Sequence, residues 1–158
     1  MPSDDSYVFD ASALIRLEEL NVPNAKREHV WAGVMRLIEA QRIVTVEYVF
    51  EEITKNSEAC AERLRYRRRL PFMVRVGSLL THENAAVISR VTNDFPRMSG
   101  VGGPSDKADP WLLVLAYERK LVVVTEEGMA QQKIPAACKT LDLDCVNVLE
   151  FVLREDLG

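Results

Sequence analysis

Asp109-Pro110-Trp111-Leu112-Leu113-Val114-Leu115-Ala116-Tyr117-Glu118-Arg119-Lys120-Leu121-Val122-Val123-Val124-Thr125 is the stretch from which the fold class can be read. Asp followed by Pro opens a helix, because the Asp side chain caps free N–H groups and Pro has no N–H to lose in the first turn. Trp111, Leu112, Leu115 and Ala116 then recur at helical spacing and predict an inward face. Leu121–Thr125 follows almost at once, a run of four apolar residues suited to a central parallel strand. Helix passing straight into buried strand is the rhythm of an α/β protein.

The same rhythm extends in both directions. Tyr7-Val8-Phe9 reads as a short strand ending at Asp10, and Ala11–Glu19 as a helix carrying Ala13, Leu14 and Leu17 inward. A helix over about Glu28–Ala40 leads to a strand at Ile43–Val46. Glu47–Lys55 returns to helix, and Ser57 caps a further helix running toward Leu70, where Pro71 stops it. His82–Asp94 predicts another helix, Pro96–Ser105 a mobile loop, Pro135–Leu141 a short helix, Cys145–Val148 a last strand and Leu149–Arg154 a closing helix. Three or four strands separated by helices imply a three-layer α/β/α domain over residues 1–158, with a mostly parallel sheet of about four strands, no repeat and no linker.

The composition narrows the chemistry. The chain has 158 residues, 47% hydrophobic and 28% charged, enough for one core without disulfides or structural metal. No apolar run approaches the roughly 20 residues of a membrane span, and the polar, acidic N-terminus does not resemble a secretory signal, so the expected location is cytoplasmic. Cys60, Cys138 and Cys145 form no C-x-x-C pair and are expected to be reduced and structural. With His29 and His82 the only histidines and no G-x-S-x-G turn, a zinc site or a Ser-His or Cys-His hydrolase is disfavoured.

The net charge of −4 argues against general coating of nucleic acid. Six arginines nevertheless crowd positions 63, 65, 67, 68, 69 and 75, and acids gather at Glu51–Glu52 and Glu126–Glu127. Arg65, Arg68 and Arg69 are candidate contacts to RNA phosphate or to a partner; the alternative is a solvated helix face. Gly100-Val101-Gly102-Gly103 lacks phosphate-loop spacing, and Asp106 reads as a solvated loop acid.

In open α/β sheets ligands collect at the carboxyl ends of the strands. Asp10 stands at one such end, Glu126 and Glu127 at another, and Glu51–Glu52 just beyond a third. Only one of Glu51 and Glu52 can face a shared site, since about 100° of helical rotation separates them. Asp109 joins this edge only if the preceding loop crosses over. Converging carboxylates would raise one another's pKa values unless cations neutralise them. A hard divalent ion does so with oxygen ligands, and two such ions can hold the water and leaving group of a phosphodiester in line. Simpler readings stand beside this one: Asp10 and Asp109 as helix caps, Glu126–Glu127 as a solvated turn before Gly128.

Four segments taken in order, Tyr7–Ile15, Val49-Phe50-Glu51-Glu52-Ile53, Ala108-Asp109-Pro110-Trp111 with Ala116, and Val123-Val124-Thr125-Glu126-Glu127, resemble the acidic motifs of PIN-domain nucleases over nearly the whole chain. Lys133-Ile134-Pro135 with Cys138, and then Cys145–Leu149, look like the tail of a PIN-like subgroup related to VapC-type toxins. The resemblance implies a Mg²⁺- or Mn²⁺-dependent endoribonuclease with Asp10, Glu52 and Asp109 as ligands and Glu127, or its neighbour Glu126, as the fourth acid. It also implies Ser12 and Thr125 as supporting hydroxyls, RNA as substrate, and an antitoxin protein and a second copy of the chain as partners. A haloacid-dehalogenase-type phosphatase would need an acid where Ser12 stands. The remaining rival is a catalytically weak or inactive PIN-like interaction module.

Overall fold

The computed structural model describes residues 3–69, 71–96, 98, 108–129 and 133–158. Five strands pair in parallel: β1 (Tyr7–Phe9), β2 (Ile43–Val46), β3 (Met73–Val74), β4 (Val122–Val124) and β5 (Cys145–Val146), in the spatial order β3-β2-β1-β4-β5. The sheet is thus one strand wider than the sequence suggested. β3 is two residues long and carries no alternating pattern, so nothing local announces it; it exists because Thr45 N–H donates to the Phe72 carbonyl and the chain runs on beside β2.

Helices fill both faces. From β1 the chain passes through α1 (Ala11–Glu18) and α2 (Asn24–Glu39) to β2, and through α3 (Glu47–Asn56) and α4 (Glu58–Leu64) to β3. It then returns across the sheet through α5 (Ala85–Asp94) and α6 (Asp109–Arg119) to β4, reaches β5 through α7 (Ile134–Leu141), and ends in α8 (Val148–Arg154). Right-handed crossovers moving outward in opposite directions place α1–α4 on one face and α5–α7 on the other. α8 joins the first layer: Phe151 stands edge-on to Tyr7 and Phe9, each with ring centroids 4.9 Å away. The architecture is three-layer α/β/α, as expected.

Several boundaries differ from the sequence reading for identifiable reasons. α2 starts at Asn24 rather than near Glu28, since Pro23 fits ahead of a first turn whose residues stay exposed. α4 ends at Leu64 rather than near Leu70: Leu64 is its last buried side chain, and the arginines beyond it present no apolar face, so the chain tightens into a 3-10 turn over Arg65–Arg67. α5 starts at Ala85 rather than His82, because residues 81–84 form a turn held by buried Asn84, whose amide donates to the Leu79 carbonyl at 3.0 Å. Trp111 is half-buried and packs against the edge of the core, while Leu112–Ala116 are fully buried. The loop expected over Pro96–Ser105, and Asp106 with it, fall outside the described residues apart from Pro96 and Met98. Among the described residues no helix is long and apolar enough to cross a membrane.

β1 pairs with β2 on one side and β4 on the other, so the connections leave β1 and β4 in opposite directions. The crevice between their carboxyl ends is the switch point of the sheet, where loops diverge and a ligand finds room.

Candidate active site at the switch point

Asp10 is the residue after β1. Its N–H donates to the Val124 carbonyl at 3.1 Å, which extends the β1–β4 ladder by one bond and aims the side chain into the crevice. Only 3% of Asp10 is exposed. One carboxylate oxygen accepts from the Ala13 N–H at 2.8 Å and from the Ser12 hydroxyl at 2.7 Å; the other accepts from the Thr125 hydroxyl at 2.5 Å. Asp10 therefore caps α1 and belongs to the crevice at once. Burial pushes its carboxyl up to about 6, against three hydrogen bonds that favour the charged form and with help from the negative charge of Glu127.

Ser12 and Thr125 knit the two strand ends together. The Ser12 oxygen also accepts from the Glu126 N–H at 3.1 Å, and the Thr125 oxygen accepts from the Glu127 N–H at 3.1 Å. The loop after β4 is thereby held at its start, although Glu126 and Gly128 remain exposed. The two glutamates diverge from it. Glu126 accepts from the Val148 N–H at 2.9 Å at the start of α8, and Glu127 accepts from the Ile134 N–H at 3.0 Å at the start of α7. Both satisfy donors that a helix leaves free at its first turn. Of the two, it is Glu127 whose charge acts on Asp10.

Glu52 is half-buried on α3, while Glu51 beside it is exposed. Glu52 lines a cavity of about 450 Å³ together with Ser12, Arg16, Asn56 and Glu126. Arg16 and Asn56 had not been singled out from sequence. The available signal was spacing, because Arg16 is four residues after Ser12 on α1 and so shares its face, as Asn56 does with Glu52 on α3.

Asp109 is the first residue of α6 and is buried. α6 closes on Lys120 in the left-handed conformation and enters β4 immediately, so it runs antiparallel to the strands and its N-terminus lies at their carboxyl edge. Asp109 thus reaches the edge that holds Asp10.

The arginines lie elsewhere. Residues 65–69 lead into the amino end of β3, and Arg67 pairs with Glu39 at 3.2 Å, just ahead of β2. Arg69 lines a cavity there with Gln41, Tyr66 and Phe72. Arg65 lies over the Tyr66 ring and pairs with Glu62 at 3.3 Å, and Arg68 lies over Phe50 and donates to Thr54. Arg63 is committed to Glu18 and Glu28. Arg67 and Arg69 thus stand near the amino end of the sheet, Arg68 lies along α3, and the arginine that lines the cavity beside Ser12 and Glu52 is Arg16.

Among the described residues no three Asp, Glu, His or Cys side chains converge tightly enough to form a ready metal cage. The donor chemistry still fits Mg²⁺ or Mn²⁺. Oxygen ligands line the crevice, and the main groups that act on the buried Asp10 carboxyl are three hydrogen-bond donors and the negative charge of Glu127. Mg²⁺ commonly takes one or two carboxylates and completes its shell with water. Asp10 would be the direct holder, and Glu52, Asp109 and Glu127 are the other acids at this edge of the sheet that could take part.

Fold and site define a parallel α/β protein with an acidic crevice at its switch point. The chain belongs to the family described as a domain of unknown function (DUF4411), whose profile matches residues 7–157. No curated protein matches it. Among solved structures it is similar to the crystal structure of FitAcB from Neisseria gonorrhoeae, at 14% identity and a TM-score of 0.49, covering 90% of this chain and 98% of that one.

Proposed function

We propose that this protein is a Mg²⁺- or Mn²⁺-dependent endoribonuclease of the PIN-like kind, acting as the toxin of a toxin–antitoxin pair. The observation that carries the reading is Asp10, a buried carboxyl at the switch point, oriented by two hydroxyls and one N–H and under the charge of a second acid. A structural cap alone does not need burial on this scale, since caps on exposed helices serve as well in water. When bound, the ion would supply charge neutralisation and activate water for phosphodiester hydrolysis.

The chain's own groups do the rest. Ser12 and Thr125 hold the Asp10 carboxylate in one orientation, which spares the reorganisation a free side chain would require. Glu52 and Glu126 line the neighbouring wall, and Arg16 offers a guanidinium that can fork a phosphate of the bound strand. No nucleophilic side chain is required, in keeping with the shortage of histidine. The antitoxin and the second copy rest on the sequence resemblance.

The test is cleavage of a single-stranded RNA with Mn²⁺ by the wild type, Asp10→Asn and Asp109→Asn, with folding followed by circular dichroism. Loss of cleavage in folded variants is expected; undiminished rates in both would refute the reading. One observation favours the rival, a PIN-like interaction module: Glu126 and Glu127 both serve as helix caps. Calorimetric titration with Mn²⁺ separates the two, because the module would take up no ion.

A further inference from the structure

Cys138 and Cys145 are seven residues apart, on α7 and β5, and both line a cavity of about 360 Å³ that Thr125 and Glu127 also border. The two thiols are neighbours that share a proton, with Cys138 its favoured holder. That sharing pushes the Cys138 thiol up and holds the Cys145 thiol below its ordinary value, against burial and the charges of Asp10 and Asp144. Cys138 is buried and Cys145 half-buried, so the acceptor sulfur is the one nearer solvent. Cys60 lies apart, fully buried in α4.

We infer that Cys138 and Cys145 are a reversible dithiol–disulfide couple, an oxidation site on the wall next to the switch-point crevice. Three features carry this: two neighbouring thiols on the wall of one cavity, room in that cavity for a small oxidant, and graded accessibility that separates an attacking thiol from a resolving one. The oxidant is a peroxide. The Cys145 thiolate attacks one peroxide oxygen and the O–O bond breaks, giving a sulfenic acid and hydroxide. Cys138 sulfur then attacks the sulfenic sulfur, the S–O bond breaks, and its oxygen leaves as water. In total two thiols and one hydrogen peroxide give one disulfide and two waters. The new bond ties α7 to β5 and so stiffens the wall that Thr125 and Glu127 share. This holds whether or not the crevice cleaves RNA.

The experiment uses the whole wild-type protein treated with a few equivalents of hydrogen peroxide, then alkylated, denatured and digested with trypsin. Cleavage after Lys133, Lys139 and Arg154 releases residues 134–139 and 140–154, each with one cysteine. The expected product joins these two peptides by a disulfide, comes from a single chain, leaves Cys60 alkylated, and separates again with dithiothreitol. Cys60→Ser retains the link, and Cys138→Ser leaves a Cys145 sulfenic acid that dimedone traps. Separate peptides with both thiols free, Cys145 driven to sulfinic acid in the wild type, or a link between two chains would overturn the inference.

Discussion

Thr125 donates a hydrogen bond to Asp10 across 115 residues of sequence, at the point where β1 and β4 end side by side. The register pairing Phe9 with Val124 brings the next residues of both strands level, so a hydroxyl and a carboxylate meet in a buried crevice. This bond organises the site, and most of what can be tested follows from it.

Asp10 makes the fold pH-sensitive in a defined direction. Its carboxyl titrates at about 6 in the fold against an ordinary 3.8, so the native state holds the proton more tightly than the unfolded chain does. Stability contributed by the protonated form is present at low pH, falls as pH rises from about 4 through about 6, and then levels off. The difference corresponds to about 3 kcal/mol. In the presence of a chelator, Asp10→Asn should therefore be more stable than the wild type at pH 7.5 by up to that amount and nearly equal to it at pH 4, read from urea unfolding at the two pH values.

On the proposed function, a bound divalent ion would reverse that cost. Mn²⁺ at one hundred times its dissociation constant should stabilise the wild type by about 2.7 kcal/mol, on the order of 5–10 °C in Tm for a chain of this size. Asp10→Asn should show no such rise in differential scanning calorimetry, and EDTA should abolish it in the wild type.

Removing the Thr125 hydroxyl withdraws a donor from the ionised carboxylate. Thr125→Val should push the Asp10 pKa higher, moving the acid limb of the pH–rate profile upward by about one pH unit, as a charged hydrogen bond of about 1.5 kcal/mol would require. Rates measured between pH 5 and 8 decide this; an unmoved limb would show that the hydroxyl does not act on Asp10.

The adjacent glutamates should separate in titration. Glu127→Gln removes a charge that raises Asp10, so the Asp10 pKa falls; Glu126→Gln leaves it in place. Each variant weakens a helix cap and should lower stability by about 1 kcal/mol. Carbon-detected NMR titration of the Asp10 carboxyl reads the first effect and thermal melts read the second.

Arg16 and Arg69 test which edge meets RNA. Arg16→Ala should raise KM about tenfold with kcat nearly unchanged, the size of one charge-assisted phosphate contact. Arg69→Ala, at the amino edge of the sheet, should leave KM within about twofold. Steady-state cleavage of one RNA by both variants distinguishes them, and the opposite ranking would return the substrate to the arginine run.

Much of this protein is written locally. The strands at Tyr7–Phe9 and Ile43–Val46, the helix opening at Asp109-Pro110 and its descent into Val122–Val124 follow from apolar periodicity and cap chemistry, both of which act between residues a few positions apart. That is why the α/β class and the parallel sheet could be read from the sequence, and why only one of Glu51 and Glu52 could be expected on the inner face. Asp10 and Glu126–Glu127 could be placed at strand ends for the same reason, since the strands before them announce themselves.

Tertiary structure alone decided what those elements do to one another. β3 exists through its pairing with β2, Arg67 and Arg69 lie near the amino edge because α4 must stop early to deliver the chain to β3, and Arg16 lines the cavity beside Glu52 because α1 packs beside α3. Glu126 and Glu127 became helix caps through Val148 and Ile134, and Asp10 acquired its burial and its partner Thr125 from a strand more than a hundred residues away. The physical reason is common to all of these. Desolvation and long-range hydrogen bonding depend on which surfaces come together, and local propensity carries no record of that.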